Sequence, residues 1–112
     1  MPNLNVLEAD LDRFIKTAHD DYPFRDDESV HGPKDEQFSM YYEIGNTYIK
    51  VVEFNGRQHM VHSFIVNKPT KGFIVGDILK PAGWKAPATN FARGNITIPA
   101  TYADRVRWTG VF

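Results

Sequence analysis

Apolar residues near the start of the chain recur every three or four positions, a spacing typical of an amphipathic helix. The apolar stripe consists of Leu7, Leu11, Phe14, Ile15 and Ala18. Asn3 or Asn5 can cap this helix, because a side-chain oxygen ahead of the first turn can accept its free backbone N–H groups. We predict a helix over residues 5–18 whose stripe packs against a sheet.

Residues 38–66 alternate between apolar and polar positions and are rich in the aromatic and β-branched side chains that favour strands. Two turn signals divide this stretch, Gly45-Asn46 and Asn55-Gly56. Both residue types tolerate the positive φ that two-residue hairpin loops require. The pattern therefore predicts a meander of three antiparallel strands.

With those residues at the loop centres, Ile44 pairs with Thr47 and Phe54 pairs with Arg57, and this register assigns every side chain to a face. One face is predicted to be core, and it carries Phe38, Met40, Tyr42, Ile44, Ile49, Val51, Met60, His62 and Phe64. The second face mixes rings, aliphatic groups and cations, and it carries Tyr41, Glu43, Tyr48, Lys50, Val52, Phe54, Arg57, His59, Val61 and Ser63.

The second half of the chain contains shorter strand signals. We predict a turn at 67–72 and strands at 73–75, 78–79, 96–98 and within 106–111. Residues 80–95, which we call the basic loop, include Pro81 and Pro87, and both disfavour a long helix or a central strand. The basic loop has no acidic residue, and it carries Lys80, Trp84, Lys85, Phe91 and Arg93.

Residues 19–37, between the helix and the meander, contain proline and glycine breakers and many carboxylates. Counting from Asp27, Gly32 falls on the turn position of a calcium-binding loop. His31 and Phe38 then occupy positions where oxygen ligands are required. We therefore predict a solvated acidic loop and no calcium site.

These elements predict one α+β domain over residues 1–112, since a chain of this length buries one core. The N-terminal helix is expected to pack on a mostly antiparallel, twisted sheet or a partly open small β-barrel. In chain order we predict helix 5–18, acidic loop 19–37, meander 38–66, and closing strands over 67–112 around the basic loop.

The net charge of −1 conceals an uneven distribution. The first 53 residues hold twelve acidic and five basic side chains, whereas the rest of the chain holds two acidic and eight basic. These charges either pair within the fold or present a basic face to nucleic acid or an acidic partner. The absence of cysteine, of a long apolar run and of a signal pattern favours a cytoplasmic protein without membrane contact.

No residue pattern argues for catalysis, a metal or a cofactor. His59 and His62 lie three residues apart, but in a strand they point to opposite faces and cannot share a metal. The three serines lack the strand–turn–helix setting of a nucleophile. We predict a protein that is not an enzyme and that carries no cofactor.

The second face combines rings with cations, and single-stranded nucleic acid is bound by this combination through base stacking and phosphate contacts. The candidate binding residues are Tyr41, Tyr48, Lys50, Arg57 and His59 on that face, with Lys80, Trp84, Lys85 and Arg93 from the basic loop. The alternative is a buried second face, with the stems of Lys50 and Arg57 packed on apolar groups.

Three segments of the second half carry a resemblance: GDILK at 76–80, WKAPA at 84–88 and NFARGNI at 90–96, together with FIV at 64–66. They resemble the C-terminal part of small uncharacterised bacteriophage proteins, over roughly half of the chain. The resemblance implies a phage origin and the cytoplasm of a host cell as the setting. It implies no activity.

Three functional hypotheses follow from these observations. The first is a non-enzymatic module that binds single-stranded nucleic acid through the second face and the basic loop. The second is a phage-type protein that binds or inhibits a host protein. The third is an enzyme or small-ligand binder whose pocket has no recognisable sequence signature.

Overall fold

The computed structural model describes residues 3–22, 38–56 and 58–112 as one helix, a four-stranded antiparallel sheet and a small hairpin. The elements are helix α1 (Glu8–Asp20) and strands β1 (Ser39–Ile44), β2 (Tyr48–Phe54), β3 (His59–Val66), β4 (Ile78–Leu79), β5 (Val106–Arg107) and β6 (Gly110–Val111). The main sheet has the order β1-β2-β3-β4 and stays open, and β5 pairs with β6 alone. The α+β prediction is confirmed, with an open sheet and not a barrel.

Helix α1 begins at Glu8, three residues later than predicted. Leu7 holds the N-cap position without a side-chain hydrogen bond, and its own side chain is 69% exposed, so it leaves the predicted stripe. Asn5 does not cap the helix, because its backbone N–H and side-chain amide both bond to Asn67. Of the four remaining stripe residues, Leu11, Phe14 and Ala18 are fully buried and Ile15 is half-buried.

The first hairpin differs from the predicted register by two residues. The Gly45 N–H donates to the Tyr48 carbonyl at 2.9 Å, and Ile44 pairs with Ile49 instead of Thr47. A Cβ on Gly45 would lie 2.6 Å from that carbonyl oxygen, so glycine is needed here for close approach. Because a shift of two residues preserves the alternation, the predicted faces of β1 and β2 are correct.

The second hairpin is displaced in the same sense. Phe54 pairs with His59, and the Asn55 N–H donates to the Gln58 carbonyl at 3.2 Å. Gly56 has a φ of 90°, which explains the glycine in this loop. Arg57, the predicted partner of Phe54, lies outside the described residues, as does the acidic loop from residue 23 to residue 37.

A one-residue bulge interrupts the pairing of β2 with β3. Val52 pairs with Val61, whereas the neighbouring Val51 pairs with Ser63, so His62 is the extra residue. His62 is fully buried, and its ring lies 5.9 Å from the ring of Phe14 in an edge-on arrangement. The bulge therefore inserts a polar ring into the core beneath the helix.

The bulge reverses the faces of the second half of β3. Ile65 pairs with Ile49 and joins the core, and Phe64 turns to the opposite side. The predicted register implied the pairs Val51–Met60, Ile49–His62 and Thr47–Phe64, and these pairs are wrong. The predicted position of Phe64 on the core face is also wrong. Counting alternate residues cannot anticipate an inserted one.

The main core lies between α1, one sheet face and the C-terminal segment. Its fully buried members are Leu11, Phe14, Ala18, Ile49, Val51, Ile65, Ile78 and Ile96, joined by Tyr102, Val106 and Val111. The ring of Tyr102 meets Phe14 edge-on at 5.2 Å. The β5–β6 hairpin thus packs against the helix side of the sheet, whereas residues 106–111 were predicted to extend the sheet itself.

We call the opposite side of the sheet the mixed face, formed by Tyr41, Glu43, Tyr48, Lys50, Val52, Phe54, His59, Val61, Phe64, Val66 and Leu79. Its β3–β4 portion is a second small core, where Phe64, Val66 and Leu79 are buried under partly buried neighbours. The β1–β2 portion is more open, since Tyr41 is 40% exposed. The mixed face is therefore buried at β3–β4 and more exposed at β1–β2.

Two further predicted strands are turns. Phe73 forms an isolated bridge with Thr70, and Asn95 forms one with Ile98, so 73–75 and 96–98 do not extend. Asn95 stabilises this region: its side-chain amide donates to the Val75 carbonyl and to Asp77, and its Oδ1 accepts from Thr97. The bonds to Val75 and Asp77 join residues 20 and 18 positions away, and the bond from Thr97 closes a local turn, so the backbone is held in compact loops.

Asn67 joins three parts of the chain and is fully buried. Its Oδ1 accepts from the Asn5 N–H at 2.8 Å, and its Nδ2 donates to the carbonyls of Asn3 at 2.7 Å and Gly45 at 2.9 Å. Asn67 thereby ties the segment before α1 to the first hairpin loop and to the end of β3.

Replacing this amide should destabilise the fold. Asn67→Ala removes three hydrogen bonds made by a fully buried amide, each worth about 1 kcal/mol, so we expect a loss on the order of 3 kcal/mol in the free energy of unfolding. Urea denaturation followed by circular dichroism measures it. The control Asn46→Ala, at an exposed loop position, should change stability by no more than about 0.5 kcal/mol. Equal losses in the two variants would contradict this role.

Candidate nucleic-acid interface

The first part of the basic loop doubles back on itself and projects Trp84 from its tip. Pro81 and Pro87 form a bridge, and the Ala88 N–H donates to the Lys80 carbonyl at 2.7 Å. Proline has no backbone N–H to donate, and it fits here because the adjacent residues Ala82 and Ala88 donate the hydrogen bonds of the loop. The Trp84 side chain is 47% exposed at the tip.

Trp84 lies over the mixed face and contacts Lys50 of β2. The Lys50 Nζ lies 4.5 Å from the centre of the Trp84 ring, a cation–π contact worth about 0.5–1 kcal/mol at an exposed site. Glu43 is the cross-strand neighbour of Lys50, yet the described ion pairs are Arg13–Asp10 and Lys16–Asp20 alone. The ammonium group of Lys50 is thus held against a ring.

Two open clefts lie on this surface. The first, of about 370 Å³, is lined by Glu43, Ile44, Gly45, Asn46, Thr47, Tyr48, Lys50, Phe64 and Lys85, and we call it the cationic cleft. The second, of about 290 Å³, is lined by Met60, Val61, Pro81, Ala82, Gly83 and Trp84, and we call it the apolar cleft. They adjoin at the contact between Lys50 and Trp84.

A second ring cluster occupies the opposite end of the mixed face. The Tyr41 hydroxyl and the His59 Nδ1 are hydrogen-bonded at 3.1 Å, and the His59 ring lies 4.7 Å from the ring of Phe54. Tyr41 and His59 are both exposed, so these rings are accessible to a ligand. Of the five candidates that the sequence placed on this face, four lie on it and Arg57 is outside the described residues.

Arg93, a predicted binding residue, is only 7% exposed. Its Nη1 donates to the Asn90 side chain at 3.0 Å and to the Phe91 carbonyl at 2.9 Å, and its guanidinium stacks 3.8 Å from the Phe91 ring. Its hydrogen bonds stabilise the loop, and little of its charge reaches a ligand. The sequence offered no signal for this, because loop cations are usually solvated.

The other cations of the second half do not converge on one surface. Lys80 is exposed, lines neither cleft, and has its Nζ 5.2 Å from the Phe112 ring. Arg105 and Arg107 are exposed near the C-terminal hairpin, which packs on the helix side. Among the described cations, those that line a cleft are Lys50 and Lys85.

Comparison with known proteins adds a family to this geometry. A model described as "Family of unknown function (DUF7717)" matches residues 3–112. The chain belongs to this family. No curated protein and no solved structure matches it. The match covers the helix, both sheets and the basic loop, so the clefts described above lie within the DUF7717 region.

Within the described part of this DUF7717 chain, no group of three histidine or acidic side chains could hold a metal ion. No helix there is long and apolar enough to span a membrane. The clefts present the rings of Tyr48, Phe64 and Trp84, the side chains of Lys50 and Lys85, and the Glu43 carboxylate.

Two buried titratable groups lie away from the clefts. Burial raises the pKa of Glu53 to about 7, and its Oε2 has no hydrogen-bond partner among the described residues. Burial lowers the pKa of His62 to about 4, although a hydrogen bond to the Arg107 backbone opposes this shift. At 2.7 Å from the Arg107 carbonyl oxygen, His62 Nε2 is the donor, so Nδ1 is free to accept from the Ser63 hydroxyl at 3.0 Å.

These groups give opposite dependences of stability on pH. The contribution of neutral His62 is present above its unfolded pKa of 6.5 and is lost as the pH falls through about 4, a change on the order of 3 kcal/mol. The contribution of protonated Glu53 is present below its unfolded pKa of 4.5 and is lost as the pH rises through about 7. The predicted register places Glu53 towards the end of the core face, but no sequence pattern indicated that its carboxyl group would be buried with a raised pKa.

Glu53→Gln should remove the loss of stability that ionisation of Glu53 causes as the pH rises. We expect the variant to exceed the wild type in unfolding free energy at pH 8, and this advantage should shrink as the pH falls towards 4.5. Urea midpoints at half-unit steps from pH 4.5 to pH 8 measure the difference. A constant difference between the two proteins over that range would show that Glu53 titrates alike in the folded and unfolded states.

Proposed function

We propose that this DUF7717 protein is a non-enzymatic module that binds single-stranded nucleic acid across the mixed face and the tip of the basic loop. The observation that carries the proposal is the half-exposed Trp84 ring held against Lys50 between two open clefts. Rings that stack on bases and cations that contact phosphates are the two elements of sequence-tolerant single-strand binding.

The exposed charges near the tip support this proposal. Lys80 and Lys85 flank Trp84 along the chain and are both exposed, and residues 78–103 contain no acidic side chain. Among the described residues, Glu43 is the one carboxylate that lines either cleft, and it faces solvent. A polyanion that approaches the tip therefore meets cations first and one repulsive group beside them.

The rings support it as well. Tyr41, His59 and Trp84 are exposed on the same side of the sheet, and Tyr48 is half-buried at the cationic cleft. Aromatic stacking contributes about 1–3 kcal/mol per base and accepts any base, because every base has a π-face. The surface suits a flexible single strand, whose unpaired bases can reach separate rings.

We also propose a phage origin and action in the cytoplasm of a host cell. The likeness of GDILK, WKAPA and NFARGNI to small phage proteins supports this setting. A host protein as the partner remains the alternative proposal, and recovery of one host protein in stoichiometric amount with a tagged chain would favour it.

Lys85→Glu should weaken single-strand binding. The change removes one phosphate contact and adds a repulsive charge, so we expect at least a roughly tenfold loss of affinity at low salt. The slope of log K against log salt should fall by about 0.7, the release expected for one phosphate on a single strand. Fluorescence anisotropy with a labelled single-stranded DNA, titrated at several salt concentrations, measures both quantities.

Arg107→Glu is the matched control, because it makes the same change of charge at an exposed residue on the C-terminal hairpin. It should alter affinity by less than about threefold. Glu43→Gln should strengthen binding by removing the carboxylate from the cationic cleft. The proposal is wrong if the wild type does not bind DNA or RNA single strands at low salt, or if Arg107→Glu weakens binding as much as Lys85→Glu.

A further inference from the structure

We propose that the apolar cleft is a subsite for one unpaired nucleobase and that the cationic cleft holds the phosphate next to it. This inference rests on the proposed function and assigns separate tasks to the two clefts. The dividing element is the contact between Trp84 and Lys50, with the base on one side and the phosphate on the other.

The lining of the apolar cleft selects for a neutral, flat group. The cleft is lined by Met60, Val61, Pro81, Ala82, Gly83 and Trp84, and none of these six residues carries a charge. A phosphate would lose its hydration there without gaining a partner. A nucleobase would gain stacking contact with the indole of Trp84 and apolar contact with Val61, which lies on the same face of the sheet.

The Trp84 ring is positioned for stacking from one side. Lys50 lines the cationic cleft and lies 4.5 Å from the ring centre, so the ammonium group approaches the indole from that cleft. Trp84 also lines the apolar cleft, and it is 47% exposed. A base entering the apolar cleft would complete a sandwich of cation, indole and base, in which each contact is attractive.

The charges of the cationic cleft complement a phosphate. Lys50 and Lys85 both line it, and the Lys50 ammonium group lies against the Trp84 ring. Glu43 also lines this cleft, and it therefore limits the affinity for phosphate. The volumes of about 370 Å³ and 290 Å³ are near the lower end of small-ligand sites, which matches one nucleotide unit and not a longer enclosed ligand.

This geometry also predicts a preference for unpaired strands. A base in a duplex is stacked and paired, and placing it in the apolar cleft would require unstacking and unpairing. A duplex can still present phosphates to Lys50, Lys80 and Lys85. We therefore expect duplex binding to be weaker and to leave the Trp84 environment unchanged.

The experiment compares a single-stranded DNA with an abasic strand of the same length and phosphate count. Trp108→Phe serves as the background, so that Trp84 is the remaining tryptophan; the Trp108 backbone N–H, which donates to Asp21, is retained. We expect the natural strand to quench Trp84 emission and to bind about 5- to 150-fold more tightly than the abasic strand.

Two variants test the base subsite directly. Trp84→Leu should reduce the preference for the natural strand to about twofold or less, and Trp84→Phe should keep part of it, because a phenyl ring still stacks. Ala82→Leu narrows the apolar cleft from an exposed position on the loop and should have the effect of Trp84→Leu while leaving the tryptophan in place. Binding of the abasic strand should be unchanged in all three.

The possible outcomes separate the two proposals. A preference for the natural strand that persists in Trp84→Leu, with no change in Trp84 emission in the Trp108→Phe background, would overturn the base subsite and leave single-strand binding through the other rings standing. Equal affinity for the natural and abasic strands would overturn both the subsite and the stacking on which the proposed function rests. Failure of both strands to bind would overturn the proposed function and the subsite with it. If polyglutamate bound as tightly as the natural strand and quenched Trp84 equally, the cleft would be a site for acidic peptides and the base subsite would be wrong.

Discussion

One extra residue in β3 decides how both sides of this sheet are used. The bulge at His62 moves Ile65 under the helix and turns Phe64 towards the mixed face. Without it, the sheet would offer one apolar side and one polar side. With it, the β3–β4 portion is packed on both sides, and the open surface is confined to β1, β2 and the beginning of β3.

The small core on the mixed face supports the candidate interface. Phe64, Val66 and Leu79 form this core, and Ala92 of the basic loop packs against them. The basic loop begins directly after β4, and its tip projects over β2, where Trp84 contacts Lys50. The ring and the ammonium group are therefore positioned by packing several residues away, which gives an exposed site a more rigid support than a free loop would give.

Charge contributes less to the fold than its uneven distribution along the sequence suggests. The described ion pairs, Arg13–Asp10 and Lys16–Asp20, lie within one helix, and such exposed pairs stabilise by a fraction of a kcal/mol. The larger electrostatic effects come from burial, at Glu53 and His62. They favour protonated Glu53 and neutral His62 in the folded protein, so neither adds a charge to the candidate interface.

The sequence by itself determined the N-terminal helix, the antiparallel meander and the faces of β1 and β2, because alternation and helical spacing are local properties. It also identified Tyr41, Lys50, His59 and Trp84 as residues of one surface. Only the tertiary structure decided the exact register, the bulge, the burial of Arg93 and the separation of the two clefts. The register depends on the close approach of Gly45 to the Tyr48 carbonyl, and the burial of Arg93 depends on its bonds within the loop, details that an alternating pattern does not record. The bulge and the clefts depend on contacts between residues distant along the chain, such as His62 with Arg107 and Lys50 with Trp84.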